Sequence, residues 1–240
     1  MSVPRTGDGE GMESAPMPSA DEVDDRLDRH LRGWLGAWPP TEEVTVVGSP
    51  RRGEPCWDGR LRPLAGVGTP EGTVVSVAPD RVDAVRAAGS TLDELVEALP
   101  EVLGQPGGVV GRGVYRYALS APDVDPIGDW VAADDPEVPA WLRPFGGHVL
   151  VVREEGEYVA GLGIKRHDKL GHEVAVATEE PWRGRGLARA LVARASRAIL
   201  RAGGVPIYLH ARGNAASARA AEVSGFPDRG WFILGLPTAT

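Results

Sequence analysis

The sequence predicts an α/β chain, a mixed (α+β) sheet with helices laid on its faces. Two observations predict it. Between residues 148 and 240, short β-branched runs alternate with amphipathic helical stretches in the order β-β-β-α-β-α-β. Upstream, residues 21–112 carry helix and strand signals of the same kind, separated by Gly- and Pro-rich breaks. Three units are expected: a disordered tail over 1–20, an N-terminal α/β region over 21–112, and a principal domain over 113–240.

Residues 1–20 are rich in Gly, Pro, Ser and Met and have no periodicity. In ADEVDDRLDRHLRGWLGAW, Val23, Leu27, Leu31 and Leu35 fall at four-residue steps, an amphipathic helix ended by Gly36 and Pro39. EVTVVGS is a strand. PDRVDAVRAAGSTLDELVEALPEVLG reads as two short helices broken at Gly89 and Ser90, with Thr91 and Glu94 forming a capping box. GVYRYALS alternates as a strand does. After a Pro- and Asp-rich connection over 121–147, HVLVVREEGEYVAGLGIKRH is an antiparallel hairpin and HEVAVAT a further strand. GRGLARALVARASRAILRAGG is a helix burying Leu187, Leu191, Ala195 and Ile199, stopped by Gly203 and Gly204. VPIYLHA (strand), NAASARAAEVSGF (helix closed by Gly225) and RGWFILGL (strand) complete the chain.

The composition narrows the function classes. The net charge of −8 argues against a general nucleic-acid binder. It hides an asymmetry: residues 1–45 hold ten acids against four arginines, whereas residues 181–240 hold nine arginines against Glu222 and Asp228. A basic final quarter in an acidic chain suits a local anionic ligand. No apolar window of about 18 residues exists, so no membrane partner is expected. The N-terminus lacks an apolar signal core, and Cys56 is the one cysteine; both suit a cytoplasmic protein. The five histidines (His30, His148, His167, His172, His210) lack metal-ligand spacing with acids, so no metal is expected.

The chemistry concentrates in EPWRGRGLARAL, residues 180–191. Unpaired amides at a helix N-terminus, helped by the helix dipole, attract anions. Gly184 and Gly186 remove the Cβ atoms that would keep a ligand off those amides. Arg183 and Arg185 add forked, permanently charged donors, so the whole suits a pyrophosphate. A P-loop is excluded because no Gly-x-x-x-x-Gly-Lys-Ser/Thr run occurs. A dinucleotide fingerprint is excluded because Arg189 stands at its third glycine and a hairpin precedes it. The remaining pattern, Arg/Gln-x-x-Gly-x-Gly/Ala, is met by Arg183-Gly184-Arg185-Gly186-Leu187-Ala188.

With Asn214 opening a helix after VPIYLHA, and Gly225-Phe226 closing it, this loop makes residues 148–240 resemble the core of the GNAT superfamily of acyl-CoA-dependent N-acetyltransferases. The resemblance implies a GNAT-like fold with an N-terminal α/β extension, for which a degenerate half-copy of the same fold is one reading. It implies acetyl-CoA as cosubstrate, an amine-bearing acceptor, and direct attack in a ternary complex. In such enzymes the pyrophosphate sits on the loop amides, here Arg185, Gly186, Leu187 and Ala188, with Arg183 and Gly184 at its start. The pantetheine arm runs along a bulged strand that splays from its parallel neighbour. Here the amides of Val176 and Thr178 would bond it, Val176 would face the oxyanion, and Asn214 and Ser217 would touch the far side. Asn214 is equally explained as a helix N-cap.

The family's catalytic carboxylate corresponds best to Glu173, ten residues before Arg183, and His210 at the end of the neighbouring strand is a second candidate. His172 should point to the opposite face. Many members carry a tyrosine five residues before the Phe of Gly-Phe that protonates the departing thiolate; this chain has Ala221 there, leaving water or Ser224. That departure sets up the alternative function, a catalytically weak or inactive acyl-CoA-binding sensor. Trp130, Trp141 and Phe145 either border an acceptor cleft or cover the sheet. Residues 21–112 read as a half-copy, a substrate-binding region or a homodimer surface.

Overall fold

The computed structural model describes residues 15–237. The expected disordered tail therefore lies outside the described residues up to position 14. Just after it, Ser19 caps the first helix, α1 (Ala20–Leu35), in a reciprocal bond pair with Glu22. Gly36, at φ 105°, closes the helix through its amide to the Arg32 carbonyl.

Ten strands form one sheet: β1 (Val44–Gly48), β2 (Ala65–Thr69), β3 (Gly72–Val77), β4 (Gly111–Tyr117), β5 (Asp129–Ala132), β6 (His148–Glu154), β7 (Glu157–Arg166), β8 (Gly171–Thr178), β9 (Val205–Ala211) and β10 (Phe232–Gly235). Their order is β1-β3-β2-β10-β4-β9-β8-β7-β6-β5. The β1/β3 and β8/β9 pairs are parallel and the others antiparallel. Helices α2 (Val82–Ala88), α3 (Leu92–Val102), α4 (Leu187–Arg201) and α5 (Ala215–Val223) complete the fold. The Thr91/Glu94 capping box forms as expected.

Three strands are additional to the expected elements. β2 and β3 lie in AGVGT and GTVVSV, where glycines interrupt the side-chain pattern of a strand. One of those glycines has a packing reason: a Cβ on Gly68 would stand 2.0 Å from the Phe232 ring, so the bare backbone makes room for the facing β10 residue. β5 is four residues on the sheet edge within the Pro-rich connection.

The last strand, β10, inserts between β2 and β4, so the sheet runs continuously from residues 44–77 into the C-terminal half. Alternation along the strands sorts the core into two faces. Helix α1 covers one, packing on Val67, Val74, Tyr115, Tyr117 and Ile207. The other face carries α4 over Leu150, Leu162, Ile164 and Val174, and α2 and α3 over Val46, Val75 and Val77. Arg116 of β4 fixes α5 and the chain that follows it, reaching Glu222 at 2.7 Å, the Phe226 carbonyl at 2.8 Å and Asp228 at 3.2 Å.

β8 and β9 begin as partners and then part. Their register runs from Gly171 and Val205 to Glu173 and Ile207, and ends there, although β8 continues to Thr178 and β9 to Ala211. Against β7, β8 stays in register from His172 to Thr178 without a shift. The divergence thus arises without a register shift against β7 to mark the bulge that the resemblance implied for β8. It leaves the β9-facing backbone edge of β8 beyond Glu173 without a strand partner, the arrangement an extended ligand can complete.

Candidate active site

Two clefts lie on opposite faces of the diverging strands. The first, on the α4/α5 face, has a volume of about 510 Å³. Val176, Thr178, Arg183, Gly184, Gly186, Leu187, Ala188, Asn214 and Ser217 all line it. The loop geometry follows from the glycines: Gly184 and Gly186 have φ of 78° and 82°, a region that L side chains rarely occupy. Gly186 is the N-cap of α4 and supplies no side-chain cap. Among the described residues no acceptor is bonded to the amides of residues 184–188; the first helical bond is from Ala190 to Gly186. Those donors sit at the positive end of a 15-residue helix.

The cleft fits a pyrophosphate-bearing coenzyme on two further counts. A Cβ at Gly184 or Gly186 would meet nothing within 4 Å, so the glycines hold open space over the amides. The Thr178 hydroxyl is buried on the lining without a partner, and a buried hydroxyl normally has one.

The arginines are arranged differently from expectation. Arg185 folds away from the cleft, its guanidinium 4.3 Å over the Trp182 ring and bonded to the Pro181 carbonyl. Only its main chain belongs to the loop. Arg189 and Arg219, which the loop pattern does not mark, line the cleft beside Arg183. They come from one turn into α4 and one turn into α5, which explains why a short motif misses them. Asn214 is the N-cap of α5, its side chain accepting from the Ser217 amide at 3.0 Å.

Tyr208 also lines this cleft, on β9. Burial pushes its hydroxyl pKa up, against a hydrogen bond with Ser217 and the Arg116 charge. Ala221 is fully buried in the core under Tyr208 and Phe226. Ser224 is also fully buried, with no partner for its hydroxyl, and borders neither cleft.

The second cleft, about 420 Å³, opens on the α1 face. Glu173 lines it at the last paired position before the strands part, 5 % exposed. Lys165 donates to its Oε1 at 2.5 Å and His167 Nε2 lies 3.0 Å from its Oε2. Burial pushes the Glu173 carboxyl up, but the bond and charge of His167 and the charge of Lys165 outweigh it and hold the group below the usual range. An ionised carboxylate only accepts, so His167 donates from Nε2, which leaves Nδ1 as its acceptor when the ring is neutral. His167 lies in the β7–β8 turn against the Trp34 ring, 5.1 Å between centroids. Sequence reasoning missed it as a site residue. The available signal was its place six residues before Glu173, across a tight turn.

The strand at His210 borders the second cleft, but the ring belongs to the opposite face: Arg116 Nε donates to its Nε2 at 3.2 Å. Glu173 and His210 therefore do not converge as two side chains on one substrate. His172 behaves as expected, facing away from Glu173; burial and then the Arg166 charge push it down to about 4. Phe145 stacks on Trp57, 5.2 Å apart, and Trp57 lines the cleft, so Phe145 supports the wall from behind. Trp141 meets Phe145 edge-on, and Trp130 packs against the α4 core. The N-terminal region supplies Trp34, Arg52, Cys56, Trp57, Arg62, Leu64 and Ala65 to this cleft and none of the first.

Among the described residues no group of three or more His, Cys, Asp or Glu could hold a metal ion, and no helix is long and apolar enough to cross a membrane.

Residues 115–226 match the family model described as "Acetyltransferase (GNAT) family". Among solved structures, a GNAT-family protein from Novosphingobium aromaticivorans is 25 % identical, over 55 % of this chain and 67 % of its own, with a TM-score of 0.45. A GCN5-related N-acetyltransferase-like protein from Streptococcus suis is 19 % identical over 90 % and 100 %, with a TM-score of 0.43. A GCN5-related N-acetyltransferase from Kribbella flavida is 17 % identical over 91 % and 96 %, also at 0.43. No curated protein matches. Residues 115–226 of this chain are a GNAT acetyltransferase domain, a family whose reaction is acyl-CoA-dependent acyl transfer.

Proposed function

We propose that this chain is an N-acetyltransferase that moves the acetyl group of acetyl-CoA to an amine by direct attack in a ternary complex. The observation that carries the reading is the parting of β8 and β9 between two clefts, one lined by the Arg183–Ala188 loop on one face and one lined by Glu173 on the other. Bound acetyl-CoA supplies an activated thioester carbonyl; the amine nitrogen bonds to that carbon as the carbon–sulfur bond breaks, and the sulfur leaves as a thiolate.

The chain's part is to bind, to orient and to move protons. The amides of residues 184–188, with Arg183, Arg189 and Arg219, hold the diphosphate. The edge of β8 at Val176 and Thr178 aligns the arm, and the Val176 amide donates to the oxygen that becomes negative. An alkylamine is mostly protonated at neutral pH, so a proton acceptor is needed. Glu173, held ionised by two donors, is a weak acceptor itself and serves to orient His167. His167 Nδ1 takes the amine proton, directly or through water. On the other face the protonated Tyr208 hydroxyl returns a proton to the departing sulfur, the task that Ala221 cannot perform. The reading includes a cytoplasmic location, which a single cysteine supports.

Thiol release on mixing the protein, acetyl-CoA and a panel of amines tests the reading. Turnover of at least one amine is expected. Binding without turnover across the panel would leave the acyl-CoA sensor, which Ala221 favours. Absence of any melting shift with acetyl-CoA would overturn both.

A further inference from the structure

Resting on that reading, we propose that the acceptor is a small amine that also carries a carboxylate, and that Arg52 is the residue that holds the carboxylate.

Arg52 stands in a short 3-10 turn (Pro50–Gly53) ahead of the loop that walls the second cleft. It lines that cleft and is 4 % exposed. Arginine is almost never this buried unless an acid is paired with it. Among the described residues no carboxylate lies within ion-pair distance of Arg52. One of its terminal nitrogens donates to the Trp34 carbonyl at 3.0 Å, and its Nε is buried without a partner. Burial pulls its pKa down, the signature of a cation short of compensation, although Cys56 and Glu54 act in the other direction.

The neighbouring charges cancel. Arg62 is paired with Asp58 at 2.6 Å, and Lys165 with Glu173 at 2.5 Å. Arg52 is the cation left over, so a bound molecule that restores balance brings a negative group to it. A guanidinium meets a carboxylate through two parallel bonds, which uses the donors that the Trp34 contact leaves unspent. Capping the C-terminus of α1 explains one N–H of Arg52; it does not explain a buried Nε with no acceptor.

Glu173 and His167 line the same cleft, where the amine must arrive; the Arg52 guanidinium and the His167 ring both lie against Trp34, 5.7 Å and 5.1 Å from its ring centroid. Much of the remaining wall is apolar: Trp34, Trp57, Leu64, Leu209 and Ile233. A cleft of about 420 Å³ that combines a buried unpaired guanidinium, a carboxylate–histidine pair and apolar walls suits a free amino acid with an apolar body.

The test uses the whole chain. Free amino acids, α and ω, are each compared with their own primary amide as acceptors, with thiol release as the readout and acetyl-CoA saturating. The amide's amine is the less basic and more of it is neutral, a bias against the proposal. At least one acid is expected to exceed its amide in kcat/KM by on the order of 10- to 100-fold, the range for a hydrogen-bonded charge that loses its partner. Arg52→Gln should bring the pair to within a few-fold, chiefly through the KM of the acid.

Equal use of acid and amide, exclusive use of the amides, or no turnover of any acid by protein that acetyl-CoA still stabilises would each overturn the proposal and leave the coenzyme reading standing. An Arg52→Gln chain that turns over acids and amides in the wild-type ratio would overturn it as well. Should that variant not fold, the acid-to-amide ratio of the unaltered chain decides alone. Loss of acetyl-CoA stabilisation in the unaltered chain is a different failure, that of the coenzyme reading, and this proposal falls with it.

Discussion

The two clefts flanking β8 and β9 are built in opposite ways. Every residue lining the cleft proposed for the coenzyme, the coenzyme cleft below, lies between Val176 and Val223, within one strand-loop-helix-strand-helix run. The cleft proposed for the acceptor, the acceptor cleft below, collects residues from Trp34 to Gly235, drawing on α1, the loop before β2, the β7–β8 turn, β9 and β10. One is a motif folded back on itself. The other exists only because a ten-stranded sheet brings both ends of the chain together. A ligand common to a family can be met by local backbone geometry, whereas a particular acceptor is met by tertiary assembly, where sequence can vary without disturbing the loop.

If the clefts divide the work in this way, single substitutions should damage them separately. The largest effect is expected from Glu173→Gln, which removes the negative charge and one of the two acceptor oxygens that Lys165 and His167 share. Turnover should fall by about 10²- to 10⁴-fold, while the melting shift given by acetyl-CoA stays as in the parent. A matching loss of coenzyme binding would show that the clefts are not separable.

Gly186→Val attacks the other side. A left-handed backbone costs an L residue about 1–2 kcal/mol, and the new side chain enters the space over the amides. Coenzyme affinity should drop by about 100-fold or more, on the scale where each 1.4 kcal/mol is tenfold. Unchanged affinity in titration calorimetry would remove the loop from the account.

Gly68→Val sharpens the comparison from within the scaffold. Its side chain would collide with Phe232 on β10, the strand that carries Ile233, Leu234 and Gly235 into the acceptor cleft. A cost of about 1–3 kcal/mol is expected for overpacking, read as a lower urea midpoint. The folded fraction should show a raised KM for the acceptor and ordinary coenzyme binding. A raised KM for coenzyme alone would contradict this.

The smallest effect is on pH dependence. With the pKa of His172 near 4 in the fold and about 6.5 when unfolded, the unfolded chain binds a proton that the fold refuses. Stability should therefore fall as pH drops from about 6.5 toward 4. Glu173, whose folded pKa is depressed, contributes stability above its unfolded value of about 4.3 that is lost as pH falls through the folded value. Urea melts at pH 7, 5.5 and 4.5 should show a declining free energy, and His172→Gln should flatten the upper part of that decline.

Much of the coenzyme cleft was legible in the sequence because its parts are local. Gly184, Gly186, the start of α4 and Asn214 follow from helix-start and glycine rules that involve neighbours only. The rotation of Arg185 onto Trp182 was not legible: which guanidinium reaches a ligand depends on where the Trp182 ring, three residues upstream, comes to lie. The acceptor cleft was largely hidden. Glu173 was marked by the resemblance, but His167 reads as an ordinary turn residue, and Arg52 sits in a Pro-Arg-Arg-Gly stretch resembling an exposed turn. Its burial becomes visible only when α1 and the β2 region close over it. β2 and β3 escaped for a related reason: their alternation is carried by glycines whose purpose, as at Gly68, is to receive a side chain from a strand over 160 residues away.

The central claim is that the backbone amides of residues 184–188 receive the diphosphate of the coenzyme, and amide hydrogen exchange measures them directly. Exchange across that turn, followed with and without saturating acetyl-CoA, should slow markedly at those positions and at Val176 and Thr178. A rise in melting temperature with unchanged exchange at those amides would locate the coenzyme elsewhere and contradict the account.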